Sequence, residues 1–290
     1  MQEKLKGIFP ALLTPFDASG AINKEQLKKL IRCNVDKGVR GFYVCGSTGE
    51  AFLLSADERK AVMEIVRETA PDSTLIAHIG SLNEREAIDL ACHAKKLGYD
   101  LISSVTPFYY KFSFGEIRDY YCRLADAGEL PMLVYYIPAL SGVSMDSGEI
   151  TSFLADPRFA GIKFTSNDFF TMALCKSAFP DKVLYNGYDE MLLSGLAAGA
   201  DGGIGSTYNF MAEKFIQIQK LFLENRPDEA RAVQNEANRI IAILCKVGVM
   251  QAEKEILNQM GFDFGCCRRP FGELDDEAKA LLRREVTEKL

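Results

Sequence analysis

Short apolar runs alternate eight times with longer amphipathic segments between the start of the chain and about residue 225. The runs are apolar throughout, which is typical of parallel strands covered by helices, and the segments between them have helical periodicity. Several of these helices are expected to end at a glycine in the left-handed conformation, as at Gly38, Gly98 and Gly128. The predicted strands are GIFPALLT (7–14), GFYVC (41–45), TLIAHI (74–79), DLISSV (100–105), PMLVYY (131–136), FAGIKF (159–164), KVLYN (182–186) and DGGIG (201–205).

Eight strand–helix units predict an α/β fold, the closed (β/α)8 or TIM barrel, over residues 1–225. An open doubly wound sheet is the structural alternative, but no G-x-G-x-x-G motif follows the first strand to support a dinucleotide site. Residues 226–290 are expected to form a C-terminal helical extension that packs on the barrel or on a neighbouring subunit. Helical patterns late in the chain cover 212–226, 227–248, 251–261 and 275–290.

Composition excludes several classes of function. Acidic residues outnumber basic ones by 40 to 34, which gives a net charge of −6 and argues against binding to nucleic acid or to a membrane surface. No window approaches the roughly 18 apolar residues of a membrane span, and we find no signal peptide, so a cytoplasmic location is expected. The two histidines, His78 and His93, are too few for a three-histidine zinc site and are expected to be structural. None of the eight cysteines forms a C-x-x-C pair, so reduced thiols are expected.

Lys163 lies inside the sixth predicted strand, among apolar neighbours. An ammonium group there is costly unless it is paired or loses its proton. A neutral lysine is a nucleophile, and its natural target is a carbonyl carbon, with which it forms a Schiff base. The alternative is a lysine at a strand end whose stem packs while its head reaches solvent. Because barrel active sites lie at the carboxyl ends of the strands, Lys163 is a candidate catalytic residue.

Two loops at the predicted mouth of the barrel carry hydroxyl groups. CGSTGE (45–50) follows the second strand, and its Ser47 and Thr48 hydroxyls could bind a carboxylate or a phosphate together with backbone N–H groups. An ordinary helix-capping turn has the same sequence, so that alternative stays open. TPFYYKFSF (106–114) follows the fourth strand and contains Tyr109, which could lie at the mouth, in the core or at a subunit interface.

Later loops offer a proton relay and a set of hydrogen-bond acceptors. Tyr135, late in the fifth strand, could relay protons beside Lys163 or serve as a structural tyrosine. Asp189 and Glu190 could accept hydrogen bonds from a polyol or cap the next helix. The glycine run DGGIGSTYN (201–209) lies where barrels often bind phosphate, but no Arg or Lys nearby favours a phosphosugar.

Seven segments together resemble the N-acetylneuraminate lyases, a group within the pyruvate-dependent Schiff-base aldolases, the family that also contains dihydrodipicolinate synthase. GSTGE and the lysine strand are similar to the wider family, whereas YNGYDE and IPALSG resemble the lyases in particular. The resemblance extends from about residue 6 to the CRRPFG segment near residue 272. The segments are ALLTPF (11–16), GSTGEAF (46–52), TPFYY (106–110), YYIPALSG (135–142), GIKFTS (161–166), YNGYDE (185–190) and ADGGIGSTYN (200–209).

The resemblance implies a carbon–carbon lyase that cleaves N-acetylneuraminate reversibly to N-acetylmannosamine and pyruvate, without a metal or organic cofactor. It implies that Lys163 forms the Schiff base, that Tyr135 relays protons, and that Ser47 and Thr48 bind the pyruvate carboxylate. Tyr109 resembles the family tyrosine that reaches toward a neighbouring subunit, which implies a homotetramer. The residues implied to contact the sugar hydroxyls are Thr165, Gly187, Asp189, Glu190 and Ser206.

Some positions depart from the family patterns. Dihydrodipicolinate synthase has an arginine for its substrate's carboxylate at the position of Leu140, so the chain is poorly suited to that partner. Tyr136 and Phe164 stand where the lyases usually have Asn and Gln, and we expect them to influence the preference among sialic acids. Three alternatives stay open: an aldolase for another 2-keto-3-deoxy sugar acid, dihydrodipicolinate synthase, and a sugar-acid sensor without catalysis. The presence of both Lys163 and Tyr135 argues against the sensor.

Overall fold

The computed structural model describes residues 2–290, and its central feature is a sheet of eight parallel strands. The strands are β1 (Gly7–Pro10), β2 (Gly41–Val44), β3 (Thr74–His78), β4 (Leu101–Val105), β5 (Met132–Tyr136), β6 (Phe159–Phe164), β7 (Val183–Asn186) and β8 (Gly202–Gly205). Each strand from β2 onward pairs with the next, and β8 pairs with β1. A bridge between Ala11 and Tyr43 completes the circle, where the Leu12 N–H donates to the Tyr43 carbonyl over 2.9 Å. The prediction of a closed (β/α)8 barrel is therefore confirmed.

The strand bounds follow the sequence expectations to within one residue, except for the first strand. That strand was expected over 7–14, but it ends at Pro10. The N–H of Ala11 donates to the carbonyl of Gly205 over 2.8 Å, and Gly205 is the last residue of β8. The next residues consequently have no strand partner on that side, which ends the ladder.

Two of the three expected glycine stops are confirmed. Gly38 and Gly98 have φ of +89° and +73°, in the left-handed region. The expected stop at Gly128 is wrong, because the helix Phe114–Gly128 includes that glycine and Glu129 takes the left-handed conformation, with φ of +47°. Gly128 instead permits close packing between helices, since a Cβ there would lie 3.0 Å from the Cβ of Ala91.

Helices cover the outside of the barrel and continue beyond it. Those of the barrel are α1 (Lys24–Asp36), α2 (Ala56–Thr69), α3 (Glu84–Lys96), α4 (Phe114–Gly128), α5 (Pro138–Ser141), α6 (Ser147–Leu154), α7 (Phe169–Ala178), α8 (Leu192–Ala197) and α9 (Tyr208–Leu223). The rest of the chain forms α10 (Pro227–Val247), α11 (Val249–Gln259) and α12 (Asp276–Glu285). Among the described residues, no helix combines the length and apolar character that crossing a membrane requires.

The three last helices pack on one another and on α8 and α9. Gln234 of α10 shows how they meet the barrel, since its amide donates to the Asp189 carbonyl and accepts from the Leu193 N–H, each over 3.1 Å. The C-terminal helices therefore contact the loop that follows β7. The division of the chain at residue 225 stays a prediction.

Side chains on the strands alternate between the barrel interior and the layer beneath the helices. Tyr135 belongs to the interior cluster, together with Phe9 and Tyr185. The neighbouring Tyr136 belongs to the outer cluster with Phe164, and their ring centroids are 5.3 Å apart. One step along a strand therefore separates residues that face the interior from residues that face the helices.

Candidate active site

The Lys163 side chain lies inside the barrel near the carboxyl end of β6. It is only 4% exposed, so the alternative of a lysine whose head reaches open solvent does not describe it. The amine nitrogen lies 4.0 Å from the ring centroid of Tyr135 and 4.6 Å from that of Tyr43. The sixth strand thus places the Lys163 amine directly beside Tyr135, the candidate proton relay. Among the described residues, no other amine contacts these two rings.

Tyr135 pairs in register with Lys163 across β5 and β6. Its ring packs edge-on against Tyr43, with centroids 5.9 Å apart, and against His78 at 6.2 Å. Within residues 2–290, the Tyr135 hydroxyl has no hydrogen-bond partner, whereas the Tyr43 hydroxyl pairs with the Ser103 hydroxyl at 3.0 Å. The Tyr135 phenol is therefore available to a bound molecule.

His78 forms part of the wall behind Tyr135 and is structural, as expected. Its ring is fully buried, with Nδ1 2.9 Å from the Cys45 carbonyl and Nε2 3.2 Å from the Val105 N–H. This arrangement assigns the proton to Nδ1, which donates, and leaves Nε2 as the acceptor. Burial lowers the pKa of His78 well below its ordinary value, so the ring is neutral at pH 7.

The loop after β2 presents Ser47 and Thr48 at the same end of the barrel. Its turn is closed by the Gly49 N–H donating to the Gly46 carbonyl and by the Glu50 N–H donating to the Ser47 carbonyl, both over 3.0 Å. A Cβ on Gly46 would lie 2.5 Å from the Tyr43 ring, so this close approach requires glycine. The described chain supplies no hydrogen-bond partner for the two hydroxyls, which leaves both free for an anion.

The loop after β7 brings Thr165 and Gly187 together. A Cβ on Gly187 would lie 1.8 Å from the Thr165 Oγ1 atom, so only glycine fits beside this hydroxyl. The Oγ1 atom is buried and has no hydrogen-bond partner in the described chain. An unpaired buried hydroxyl is unfavourable, and a bound molecule could supply the missing partner.

Asp189 is held by the loop that follows β8. Its Oδ2 atom accepts hydrogen bonds from the Thr207 N–H over 2.8 Å and from the Thr207 hydroxyl over 2.6 Å. Burial raises the pKa of Asp189 to about 6, although the Thr207 hydrogen bonds lower it. Asp189 thus ties the last two strand loops together, while Glu190 and Ser206 beside it are half-buried.

Aromatic and aliphatic side chains form a rim beside the mouth. Tyr109 is 84% exposed and Leu140 is 74% exposed. Beneath this rim is a cavity of about 360 Å³ whose lining includes Ser47, Ile137 and Leu140 but not Lys163. The cavity therefore lies beside the loop that carries Ser47 and does not include the Lys163 amine.

Two further tyrosines, Tyr43 and Tyr188, belong to this region but were not predicted from the sequence. Tyr43 supplies one of the two ring faces against the Lys163 amine, and the only sequence signal was a phenol within an otherwise apolar strand. Burial raises the pKa of the Tyr188 phenol, and the nearby Glu190 and Tyr135 raise that pKa further. Tyr188 lies within the YNGYDE motif, but the orientation of its side chain depends on the conformation of the loop after β7.

Tyr136 and Phe164 lie in the outer layer, away from the Lys163 amine. The Tyr136 hydroxyl contacts the backbone N–H and carbonyl of Met145, each at 3.4 Å. Phe164 is fully buried beneath the helices. A direct influence of these two side chains on the bound sugar is therefore not expected. Within residues 2–290, no group of three or more His, Cys, Asp or Glu side chains is arranged to hold a metal ion.

Comparison with known proteins places the chain in a family. Residues 4–289 match the model of the dihydrodipicolinate synthetase family. The chain is 45% identical over 296 aligned residues to the N-acetylneuraminate lyase of Enterobacter sp. (strain 638), and the match covers 100% of both chains. The N-acetylneuraminate lyase of Escherichia coli (strain SMS-3-5 / SECEC) is also 45% identical with full coverage of both chains.

Solved structures agree with these matches. The structure of CdNal from Clostridium difficile in complex with mannosamine has a TM-score of 0.95 at 40% identity, covering 98% of this chain and 99% of that one. N-acetylneuraminate lyase from Fusobacterium nucleatum, complexed with pyruvate, has a TM-score of 0.92 at 40% identity, covering 98% of each chain. The chain therefore belongs to the dihydrodipicolinate synthetase family, within its group of N-acetylneuraminate lyases.

Proposed function

We propose that this chain cleaves N-acetylneuraminate reversibly to N-acetylmannosamine and pyruvate, through a Schiff base on Lys163. The observation that carries the proposal is the buried Lys163 amine, which lies over the ring of Tyr135 at 4.0 Å in a chain 45% identical to N-acetylneuraminate lyases. The described chain offers this amine no ion pair, and a lysine amine is a nucleophile whose natural target is a carbonyl carbon.

The reaction begins when the Lys163 amine attacks the C2 ketone of the open-chain sugar acid and water leaves, forming an iminium ion. A base takes the proton of the C4 hydroxyl, the C3–C4 bond breaks, and its electron pair moves into the enamine of pyruvate. Protonation of the enamine at C3 and addition of water release pyruvate and restore the amine. The iminium nitrogen accepts the electrons, so the proposed reaction needs neither a metal nor an organic cofactor.

Tyr135 is the proposed relay for the C4 proton. Its hydroxyl is free of protein partners in the described chain and is carried by the strand that pairs with β6. A phenol is a weak base by itself, so the proton passes onward to the substrate carboxylate or to a hydroxyl network. The free hydroxyls of Ser47 and Thr48 are proposed to bind that carboxylate.

The sugar end is proposed to lie along the loops after β6, β7 and β8. The unpaired Thr165 hydroxyl beside Gly187 offers a hydrogen-bonding group near the amine, and Glu190 and Ser206 extend the polar surface outward. Asp189 is proposed to contribute chiefly by holding Thr207, since Oδ2 already accepts two hydrogen bonds from that residue.

We propose further that the active form is a cytoplasmic homotetramer. The resemblance implies the tetramer, and the exposure of Tyr109, at 84%, and of Leu140, at 74%, supports subunit association at this rim. An exposed apolar rim of this kind is typical of a subunit interface. Leu140 also supplies no cation for a second substrate carboxylate, which disfavours dihydrodipicolinate synthase activity.

Borohydride trapping tests the proposed function. The protein is incubated with N-acetylneuraminate, reduced, and mapped by peptide mass spectrometry, with pyruvate alone and the variant K163A as controls. We expect a reduced pyruvate adduct on the peptide that contains Lys163. Trapping with pyruvate but not with N-acetylneuraminate would favour an aldolase for another 2-keto-3-deoxy sugar acid, and no adduct with either would favour a sensor.

A further inference from the structure

Helix α11, which lies after the barrel strands, carries two adjacent buried charged residues. Glu253 is 0% exposed and Lys254 is 1% exposed. Charged side chains are almost never buried this completely unless they are paired. Their surroundings differ. Lys254 contacts Glu50 of the loop after β2, whereas Glu253 lies near Ser206 of the loop after β8 and has no aligned hydrogen-bond donor in the described chain.

Lys254 is enclosed by contacts that fix its position. Its amine lies 2.5 Å from the Glu50 Oε1 atom, donates to the Cys266 carbonyl over 3.1 Å, and lies 4.1 Å from the ring centroid of Phe16. The other Glu50 oxygen, Oε2, accepts from the Arg268 N–H over 2.7 Å. Both partners of this ion pair are removed from water, and the C-terminal segment holds Glu50 from two directions.

Glu50 in turn determines the shape of the Ser47–Thr48 turn. Its N–H donates to the Ser47 carbonyl over 3.0 Å, and its backbone is left-handed with φ of +59°, which is unfavourable for a residue other than glycine. A buried ion pair is a poor source of net stability, because desolvation opposes the attraction. The pair is therefore better explained by the conformation it imposes on the turn than by stability alone.

Glu253 is a fully buried acid near Ser206, on the side proposed to receive the sugar. No donor in the described chain is aligned with either carboxylate oxygen, and the Ser206 hydroxyl is the hydrogen-bonding group that most favours its charged form. Burial nevertheless raises the pKa of Glu253 to about 8, so the group is neutral at pH 7. A neutral acid can donate its proton to the Ser206 oxygen, which leaves the Ser206 hydrogen free to point at a ligand.

We propose that α11 positions both ends of the substrate. Lys254 acts through Glu50 on the turn that receives the carboxylate, and Glu253 acts through Ser206 on the loop that receives the sugar. Neither residue touches the substrate, so both are positioning residues. The inference rests on the proposed function for the placement of the two ends, and it assigns the C-terminal helices a part in substrate recognition.

Two readouts separate the two ends of the substrate. The first is the pyruvate concentration that gives half-maximal borohydride trapping, which needs no sugar. The second is the KM for N-acetylmannosamine in the synthesis direction at saturating pyruvate. Each α11 variant serves as the matched control for the other, because the residues are adjacent on one helix and both are buried. Circular dichroism and thermal unfolding establish that each variant is folded.

K254M is expected to raise the half-maximal pyruvate concentration about tenfold or more, because small displacements of binding groups have large effects, while K254R restores part of the loss. E253L is expected to raise the N-acetylmannosamine KM about 3- to 10-fold and to leave pyruvate trapping within about twofold, whereas E253Q restores the KM. If K254M does not fold, E50Q carries the same expectation for pyruvate.

The proposal would be overturned if K254M and E253L each impaired pyruvate trapping and the N-acetylmannosamine KM to the same extent. It would also be overturned if both variants folded and neither readout changed. A failure of the proposed function is distinguishable, since the wild-type protein would then trap pyruvate without condensing it with N-acetylmannosamine. The Lys254 half is still measured in that case by pyruvate trapping. The Glu253 half is then measured with whichever sugar aldehyde the wild-type protein condenses with pyruvate.

Discussion

Two inward-facing tyrosines on β5 and β7 show how the two ends of the barrel differ. At the amino-terminal end, the Tyr185 hydroxyl donates to the Leu5 carbonyl over 2.5 Å, and its ring packs edge-on against Phe9 at 5.3 Å. At the carboxyl end, the Tyr135 hydroxyl has no partner in the described chain and its ring faces the Lys163 amine. The hydroxyl at the amino-terminal end therefore has a hydrogen-bond partner within the fold, whereas the hydroxyl beside the Lys163 amine is left for a bound molecule.

The same difference distinguishes stability from function along a single interior. A satisfied buried hydroxyl contributes about 1 kcal/mol to folding, whereas an unpaired polar group is a cost. Proteins tolerate such costs where a ligand later supplies the partner. Substitutions at the carboxyl end of the barrel, its mouth, should therefore lower activity and leave stability nearly unchanged. Substitutions at the amino-terminal end, its floor, should lower stability and leave activity nearly unchanged.

The largest effect is expected from replacing Lys163. K163A removes the nucleophile, so kcat is expected to fall by roughly 10⁴-fold or more, with no borohydride adduct. Stability should be maintained, because an amine buried over ring faces contributes little to folding and its removal leaves no charge behind. Thermal unfolding and trapping on the same preparation measure both expectations. Residual trapping at another lysine would show that the nucleophile has been misassigned.

The next largest effect is expected from Tyr135. Y135F keeps the ring contacts with Tyr43 and His78 but removes the hydroxyl, so kcat for cleavage should fall about 10²- to 10⁴-fold. Pyruvate should still be trapped on Lys163, since Schiff-base formation does not require carbon–carbon cleavage. Steady-state cleavage rates and pyruvate trapping together measure the separation. A parallel loss of trapping would instead place the phenol in formation of the Schiff base.

Sequence patterns were sufficient to predict the scaffold and the place of Lys163 in an apolar strand, but not the residues that support the candidate site. Strand and helix periodicity is local, and a lysine in an apolar strand is a local anomaly, so both are visible without a structure. Glu253 and Lys254 lie in a helical pattern rich in charge, which normally indicates a solvent-exposed face. Their burial arises only from the docking of α11 against the loops after β2 and β8. The two partners of Glu50, Lys254 and Arg268, lie more than 200 positions away from it in the sequence, so no local pattern reveals them.

A smaller effect, and one that depends on pH, is expected at Asp189. Its pKa of about 6 means that acidification below pH 6 protonates a carboxylate that accepts two hydrogen bonds from Thr207, so kcat/KM for the sugar should fall there. D189N is expected to lower kcat/KM about tenfold at neutral pH and to remove this dependence. Pyruvate trapping over the same pH range corrects for any titration near Lys163.

Stability should change with pH in the opposite direction to activity. The folded pKa of Asp189 lies above its ordinary 3.8, so its contribution to stability is greatest below about pH 4 and is lost as the pH rises to about 6. Denaturant unfolding at several pH values, with D189N as the reference, measures that contribution. A stability difference between the two proteins that grows in favour of the wild type as the pH rises would contradict the assignment of a buried, raised pKa.

At the floor of the barrel, Y185F is expected to affect stability alone. The substitution leaves the Leu5 carbonyl without its donor, so the free energy of unfolding should fall by about 1–2 kcal/mol. kcat/KM should stay within about twofold of wild type, in contrast to Y135F. Denaturant unfolding and steady-state kinetics on both variants provide the comparison. A kinetic loss in Y185F similar to that of Y135F would remove the distinction between the two ends.

The smallest effect is expected one residue away from Tyr135, the proposed proton relay, on the other face of the strand. Y136F removes a hydroxyl whose contacts with Met145 are long, at 3.4 Å each, and leaves the ring against Phe164 in place. Stability should change by less than about 1 kcal/mol. The relative kcat/KM for different sialic acids should stay within about twofold, because the side chain lies beneath the helices. A clear change in that ratio, measured by competition between two sialic acids, would mean that the outer layer influences the site and that the position of Phe164 also contributes to substrate preference.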